Sequence, residues 1–282
     1  MCTKRTIVVG LLSLASISTS IFANDDVWDF NRSQNLPATN SSNTTQKNSL
    51  LNSDLFIGAE LGRSSMNLNN SSNISVNNGT GLSGSLGQDL YQFISKPKGF
   101  MTSAVIGLRK KANSKVIDFL SLALRYRYLK SISLNGDILQ NSLPEYNNYS
   151  TNIGLSSHVL SVLAKLNFSK WQYFSPYLTA NIGMAINRTS NYQDTAKSGV
   201  SPSRVSPAFA DSSKHQLSYG VGVGIDAFIS SRLTLGLGYE FQSLGNFSTG
   251  VGQAGWSSQK LNFGKAKLNT LLFSLNYLLQ EM

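Results

Sequence analysis

The chain has 282 residues and a formal charge of +10, with 41% hydrophobic but only 13% charged residues. Its single cysteine excludes an intramolecular disulfide and a thiolate zinc site, two histidines leave little for acid–base chemistry, and no metal or cofactor site is read in it. Serine, asparagine and glycine replace the missing charges, a mixture that suits strands and turns better than long helices.

The first segment reads as an export signal. Lys4 and Arg5 precede a mostly apolar run from Ile7 to Phe22, and the small Ala23 precedes Asn24, Asp25 and Asp26. Residues 1–23 are therefore expected to be removed, which places the protein outside the cytoplasm and argues against nucleic acid as a partner. Residues 24–53 form a flexible periplasmic leader in this reading, because the stretch from Asn31 to Ser53 is too rich in Asn, Ser, Thr and Gln to bury a core. Within it, Trp28 and Phe30 are either a docking motif or a short apolar remnant.

From residue 54 to 282 the pattern has period two. Segments fit a strand template at Asp54 to Ser65, Gly99 to Lys110, Val116 to Leu129, Ser157 to Phe168 and Tyr177 to Thr189. Next comes the clearest hairpin, where Leu217, Tyr219, Val221, Val223, Ile225 and Ala227 alternate with Ser218, Gly220, Gly222, Gly224 and Asp226. It continues with Leu233, Leu235, Leu237, Tyr239 and Phe241 against Thr234, Gly236, Gly238, Glu240 and Gln242. An eighth segment runs from Ala266 to Leu278. The glycines alternate within a strand, so they are not a phosphate loop, which would turn from strand to helix.

Period two alone does not separate a soluble sandwich from a membrane barrel. Connection lengths do: Met66 to Lys98, Lys130 to Ser156, Ser190 to Lys214 and Ser243 to Lys265 are long, and the three between them are short. Such sorting to opposite rims is characteristic of outer-membrane barrels. Aromatics also gather at strand ends. Phe56, Phe119, Phe168, Trp171, Tyr173, Tyr177, Phe228 and Tyr277 would form a girdle at the short-turn rim, with Phe100, Tyr126, Tyr128, Tyr219, Tyr239, Phe241 and Phe263 at the other. No later segment approaches the ~20 apolar residues of a spanning helix. Since an unpaired strand edge is costly in hydrocarbon, the eight strands should close on themselves. The fold class read is all-β: an eight-stranded antiparallel up-and-down transmembrane barrel with short periplasmic turns and long extracellular loops.

The segments FIGAELGRSSM (Phe56 to Met66), SPYLTANIGMAINR (Ser175 to Arg188) and YGVGVGIDAFISSRLTLGLGYEF (Tyr219 to Phe241), with the closing strand Leu271, Phe273, Leu275 and Tyr277, resemble the small eight-stranded outer-membrane barrels of Gram-negative bacteria, the OmpA-like, OmpX and opacity-protein group. The resemblance implies an outer-membrane location, insertion by the barrel-assembly machinery, and contact with outer-membrane lipid and lipopolysaccharide. It also implies a structural or surface-binding role, with a host or cell-surface ligand at family level only. Leu278 to Met282 depart from the usual terminal aromatic residue.

Seven charges fall on the inward parity: Glu60, Arg109, Arg125, Arg127, Lys165, Asp226 and Glu240. Isolated charges would be costly there, so pairing is expected, Arg125 and Arg127 with Glu240, Arg109 and Lys165 with Asp226, and Glu60 near the middle. The inward glycines would make room for these long chains. A salt-bridged plug and a narrow anion-preferring pore both fit such a lumen. A lipid A esterase does not, since His158 and Ser161, like His215 and Ser218, are spaced to opposite faces of a strand. Among the loop bases, which include Lys96, Lys98, Lys130, Arg188, Lys197, Arg204 and Lys214, Lys260 and Lys265 are expected to face lipopolysaccharide phosphates.

Overall fold

The computed structural model describes residues 53–69, 71–76, 87–93, 96–199 and 209–280. The export signal, nearly all of the leader with Trp28 and Phe30, and Arg204 lie outside the described residues. Ten strands follow in order: β1 (Asp54–Asn67), β2 (Ser71–Val76), β3 (Gly87–Phe93), β4 (Lys98–Lys111), β5 (Ile117–Leu139), β6 (Asn147–Phe168), β7 (Phe174–Ala196), β8 (Ser212–Phe228), β9 (Leu233–Val251) and β10 (Lys260–Gln280).

Eight of them close a ring. Each of β1, β4, β5, β6, β7, β8, β9 and β10 pairs antiparallel with its neighbour, and β1 pairs with β10 from Leu55↔Gln280 to Asn67↔Lys267. The backbone edge that hydrocarbon would penalise is thereby removed. At one rim the connections are short, residues 112–116, 169–173 and 229–232.

The other rim differs from the expected loops, because most of that sequence is strand. β5 continues ten residues past the expected Leu129, and β6 begins at Asn147 in place of Ser157. Only 140–146, 197–211 and 252–259 connect the strands beyond β4, and β2 and β3 form a hairpin inside the first long connection. β1 and β4 end low on this side, and β3 takes over the vacated edge of β5 from Leu90↔Leu139 to Phe93↔Gly136. On its far edge β2 meets the connection after β9: the Ser257 hydroxyl donates to the Ser75 carbonyl (2.6 Å), and Ser75 N–H donates to Gln259 (2.9 Å). The tube is thus prolonged beyond the bilayer as a head.

Side-chain direction marks the boundary between the two parts. On β5, Leu120, Leu122, Leu124 and Tyr126 face outward and exposed, while Arg125 and Arg127 are buried inside. Beyond a register shift between Leu129 and Ile132 the apolar residues Ile132 and Leu134 are buried, and Ser131, Ser133 and Asn135 are exposed. A tube surrounded by lipid puts its apolar side out, and one surrounded by water puts it in. The outward apolar run from Leu217 to Ala227 on β8 covers about 34 Å of strand, or about 25 Å of bilayer at a tilt of ~45°, matching a hydrocarbon core.

The head has its own apolar core, built from Met66, Ile74, Val76, Tyr91, Phe93, Ile132, Leu134, Ile138, Ile153, Leu155, Phe247, Leu261 and Phe263 among others. Tyr192 and Phe209 pack edge-on within it at 5.3 Å. Burial pushes the Tyr192 phenol well above its usual pKa, with Tyr91 and Asp194 adding to the shift, so it stays neutral.

Part of this core arrives by a bend. β9 stays in register with β8 only up to Tyr219↔Ser243; Gly245, at φ 75°, then turns it inside β8. There the β7 side chains substitute for a neighbouring strand: Asn187 donates to the carbonyls of Leu244 (2.7 Å) and Asn246 (3.2 Å), and Thr189 to that of Ser248 (2.9 Å). Asn187→Ala orphans these buried carbonyls, which costs about 1–3 kcal/mol. Its expected result is a lower unfolding midpoint in detergent and a new protease-sensitive site near residues 252–259, read on gels; an unchanged cleavage pattern and midpoint would show that the bend is held otherwise.

Candidate functional site

The bore concentrates buried charge, and it is layered. In its middle, Arg125 Nη1 and Nη2 donate to both Glu240 oxygens at 2.8 and 3.1 Å, and Arg127 donates to Glu240 as well. Glu60 completes the cluster, 3.1 Å from Arg127 and 3.7 Å from Arg125. Arg127 also donates to Gln242 (2.6 Å), which in turn donates to Ser218 (2.9 Å). Two guanidiniums meet two carboxylates, so the cluster is neutral as well as hydrogen-bonded, the condition under which buried charges are tolerated.

Nearer the short-turn rim, Lys165 Nζ lies 2.7 Å from Asp226, which also accepts from Asn167 at 2.8 Å. Arg109 does not join them. It pairs with Asp54 at 3.3 Å, its direct cross-strand neighbour, and its guanidinium sits 4.6 Å from the Phe119 ring. Asp54 was readable as the first residue of the first strand, yet its partnership depended on the β1–β4 register. Between the two layers lies a cavity of about 60 Å³, bordered on one side by an apolar cluster of Phe56, Val105, Ala123, Leu163 and Leu278. It holds a few waters at most.

The expected girdle needs correction at five positions. Tyr177 is only 8% exposed and points into the bore, where Lys165 Nζ lies 3.9 Å from its ring centre. Its parity partners on β7 are Thr179 and Asn181, whereas Leu178, Ala180 and Ile182 face lipid. Gly224 and Gly238 therefore make room for the Tyr177 ring, where long charged chains were expected. Phe56, Phe119 and Phe228 also take the inward side, the tilted rings of Phe119 and Phe228 lying 5.9 Å apart with Lys170 at 4.1 Å from Phe228. Phe263 is fully buried in the head. On the outside remain Trp171, Tyr173 and Tyr277 at the short-turn rim, with Phe168 half-buried, and Phe100, Tyr126, Tyr219 and Tyr239 at the other, with Tyr128 and Phe241 half-buried.

Two further placements bear on chemistry. His158 faces outward, its Nδ1 2.7 Å from the Tyr126 hydroxyl and its ring stacked 4.8 Å from that of Tyr128, whereas Ser161 is buried on the opposite face. No hydrolase arrangement forms between them. Lys265 is exposed above the outward apolar band, but Lys260 sits at the far end of β10 opposite Val251, too distant to face the bilayer surface.

A closed antiparallel ring with a lipid-matched apolar exterior and a charged, filled interior defines the class as a membrane-spanning outer-membrane β-barrel. Residues 11–278 match the model of the outer membrane protein beta-barrel domain, and the chain belongs to that family. Among curated proteins no significant match is found. Similar solved structures include Neisserial surface protein A (15% identity, TM-score 0.43, 80% of this chain and 97% of that one) and OprG from Pseudomonas aeruginosa (12%, 0.40, 81% and 98%). Another is the attachment invasion locus protein Ail of Yersinia pestis, solved with the heparin analogue sucrose octasulfate (12%, 0.32, 79% and 99%). The protein is a component of the outer membrane.

Glu240→Gln removes the negative charge shared by two buried guanidiniums, and breaking a buried pair in this way costs about 3–5 kcal/mol. The variant is expected to lose its compact, heat-modifiable gel migration at a clearly lower temperature than the parent. An unchanged transition would mean that the cluster does not support the barrel.

Proposed function

We propose that the protein is a sealed, non-enzymatic outer-membrane barrel whose rigid β-structured head makes contacts at the cell surface. The observation that carries this reading is the filling of the bore: above the Arg–Glu cluster, Met66, Met101, Leu129, Val159 and Leu268 are buried across the tube, and the inward-bent β9–β10 hairpin lies over them. A solute path would have to displace both an apolar core and a neutral ion cluster. The bound head, built of strands, keeps its exposed Asn, Ser and Thr side chains in fixed relative positions, which lowers the ordering cost of binding compared with free loops.

The narrow-pore reading keeps one observation in its favour, the lower cavity that Lys165 and Asp226 help to line. Export by cleavage after residue 23, a leader up to residue 53, insertion by the barrel-assembly machinery through the outward Leu271, Phe273, Leu275 and Tyr277, and a host or cell-surface ligand for the head accompany the proposal. Purified protein in planar bilayers is expected to give no discrete conductance steps; regular steps that survive repurification would replace this reading with the pore.

A further inference from the structure

The outer wall of the head carries ordered rows of polar side chains near its distal rim. Leu134 and Ile138 of β5, Tyr149 and Ile153 of β6 and Tyr192 of β7 are buried in the head core, so the residues that alternate with them face water. One row crosses four strands, Gln92↔Asp137↔Ser150↔Thr195, and the row beneath it crosses three, Asn135↔Asn152↔Gln193. β5 ends at Leu139 and β7 at Ala196, close above both rows. With strands about 4.8 Å apart and successive outward residues about 7 Å apart, the rows cover roughly 14 by 7 Å. They border a shallow depression of about 560 Å³.

The chemistry on offer there is narrow. Asp137 is the one charged residue bordering the depression, and Lys197 Nζ balances it at 2.9 Å. Neither row holds a base, an aromatic ring or an aliphatic side chain. Asn152 donates to Asn135, which fixes the two carboxamides against each other and still leaves Asn135 an amino group to donate with and Asn152 a carbonyl to accept with. Gln92, Gln193 and Thr195 are exposed beside them.

We propose that this depression binds an uncharged oligosaccharide presented from outside the cell. The proposal rests on the reading of the head as a contact surface and names the chemistry of its ligand. Sugar hydroxyls both donate and accept, as carboxamide and hydroxyl side chains do, so a fixed array of these groups can pair with a sugar ring without burying a charge. Strands hold the array in place, which keeps the ordering cost of binding low. A sulfated or phosphorylated ligand would call for bases free to pair with it, and a protein partner would centre on aromatic or aliphatic anchors; the two rows offer neither. Their place near the rim, roughly 15 to 20 Å above the girdle by strand rise and tilt, suits a chain that arrives from outside better than one rooted in the same membrane.

The test applies the folded full chain in neutral detergent to an immobilised array of uncharged, sialylated and sulfated oligosaccharides, and then titrates the uncharged member captured best. Uncharged members are expected to be captured, and capture should persist in high salt, which screens charges and leaves neutral hydrogen bonds in place. The variant Asn152→Ala/Gln193→Ala removes two exposed carboxamides and is expected to lose at least about tenfold in affinity. The variant Lys98→Gln/Lys267→Gln should bind as the parent does. Heat-modifiable migration of each variant reports folding beforehand, and bilayer recordings report the bore separately. The proposal is overturned if no uncharged member is captured, if capture is confined to the sulfated or sialylated members or to polysaccharide from the producing cell's own surface, or if the folded double variant binds like the parent. A silent array together with intact attachment of the protein to other cells overturns the sugar site and leaves the head as a contact surface. If the double variant does not fold, the single variants Asn135→Asp and Gln193→Ala carry the test, with weaker binding expected in each and parental affinity in both contradicting the site.

Discussion

Solvent around the tube decides which way its side chains point. In the lower part the surroundings are acyl chains, so Leu, Val and Ile face outward and the polar and charged residues must satisfy one another inside. Higher up the surroundings are water, so the same strands turn their apolar residues inward and build a core of the kind a soluble domain has. One continuous sheet accommodates both regimes because register irregularities fall near the change, at Leu129/Ile132 on β5, Asn152/Gly154 between β6 and β7, and Ala266/Lys267 between β10 and β9, where Leu244 is the extra residue. The bulges re-aim side chains without breaking the ladder.

The interior follows from the same constraint. Eight strands leave a bore just wide enough for side chains to fill, and here the fill is neutral layer by layer: Asp54 with Arg109, Asp226 with Lys165, and Glu60 and Glu240 with Arg125 and Arg127. A layer with excess charge would draw in water and counter-ions; a balanced one can stay nearly dry. Glycine serves this packing at two places where a neighbouring ring comes very close, Gly224 and Gly238 beneath Tyr177. Above the ion cluster, the bend at Gly245 brings β9 against the inward side of β7, where Asn187 donates to the Leu244 carbonyl.

The membrane part was legible in the sequence because lipid-facing strands keep an unbroken period of two, as Leu217 to Ala227 shows, and because the inward charges share the other parity. The head was not. Stretches such as Asn147 to Asn152 have the composition of loops, and nothing in their pattern shows that neighbouring strands supply the pairing. The parity reversal at a bulge also hides a strand from any window that assumes one buried face throughout. Tyr177 was misplaced for a simpler reason: its position at a strand end outweighed its parity, although Thr179 and Asn181 on the same side already indicated the bore. The Arg109 partner and the inward course of β9 depended on register and on one glycine dihedral, which single-sequence periodicity does not contain.

The reversal of faces is the claim on which the rest depends, and β5 crosses it in one run. The sole cysteine of the natural chain is Cys2, so single substitutions along β5 can be labelled selectively once the background is set to serine. With intact cells and a membrane-impermeant maleimide, Ser133→Cys and Asn135→Cys should react, Leu122→Cys and Leu124→Cys should not react but should be reached by a lipid-soluble probe, and Leu134→Cys should resist both. Aqueous labelling at Leu122→Cys and Leu124→Cys, or silence at Ser133→Cys and Asn135→Cys, would contradict the account.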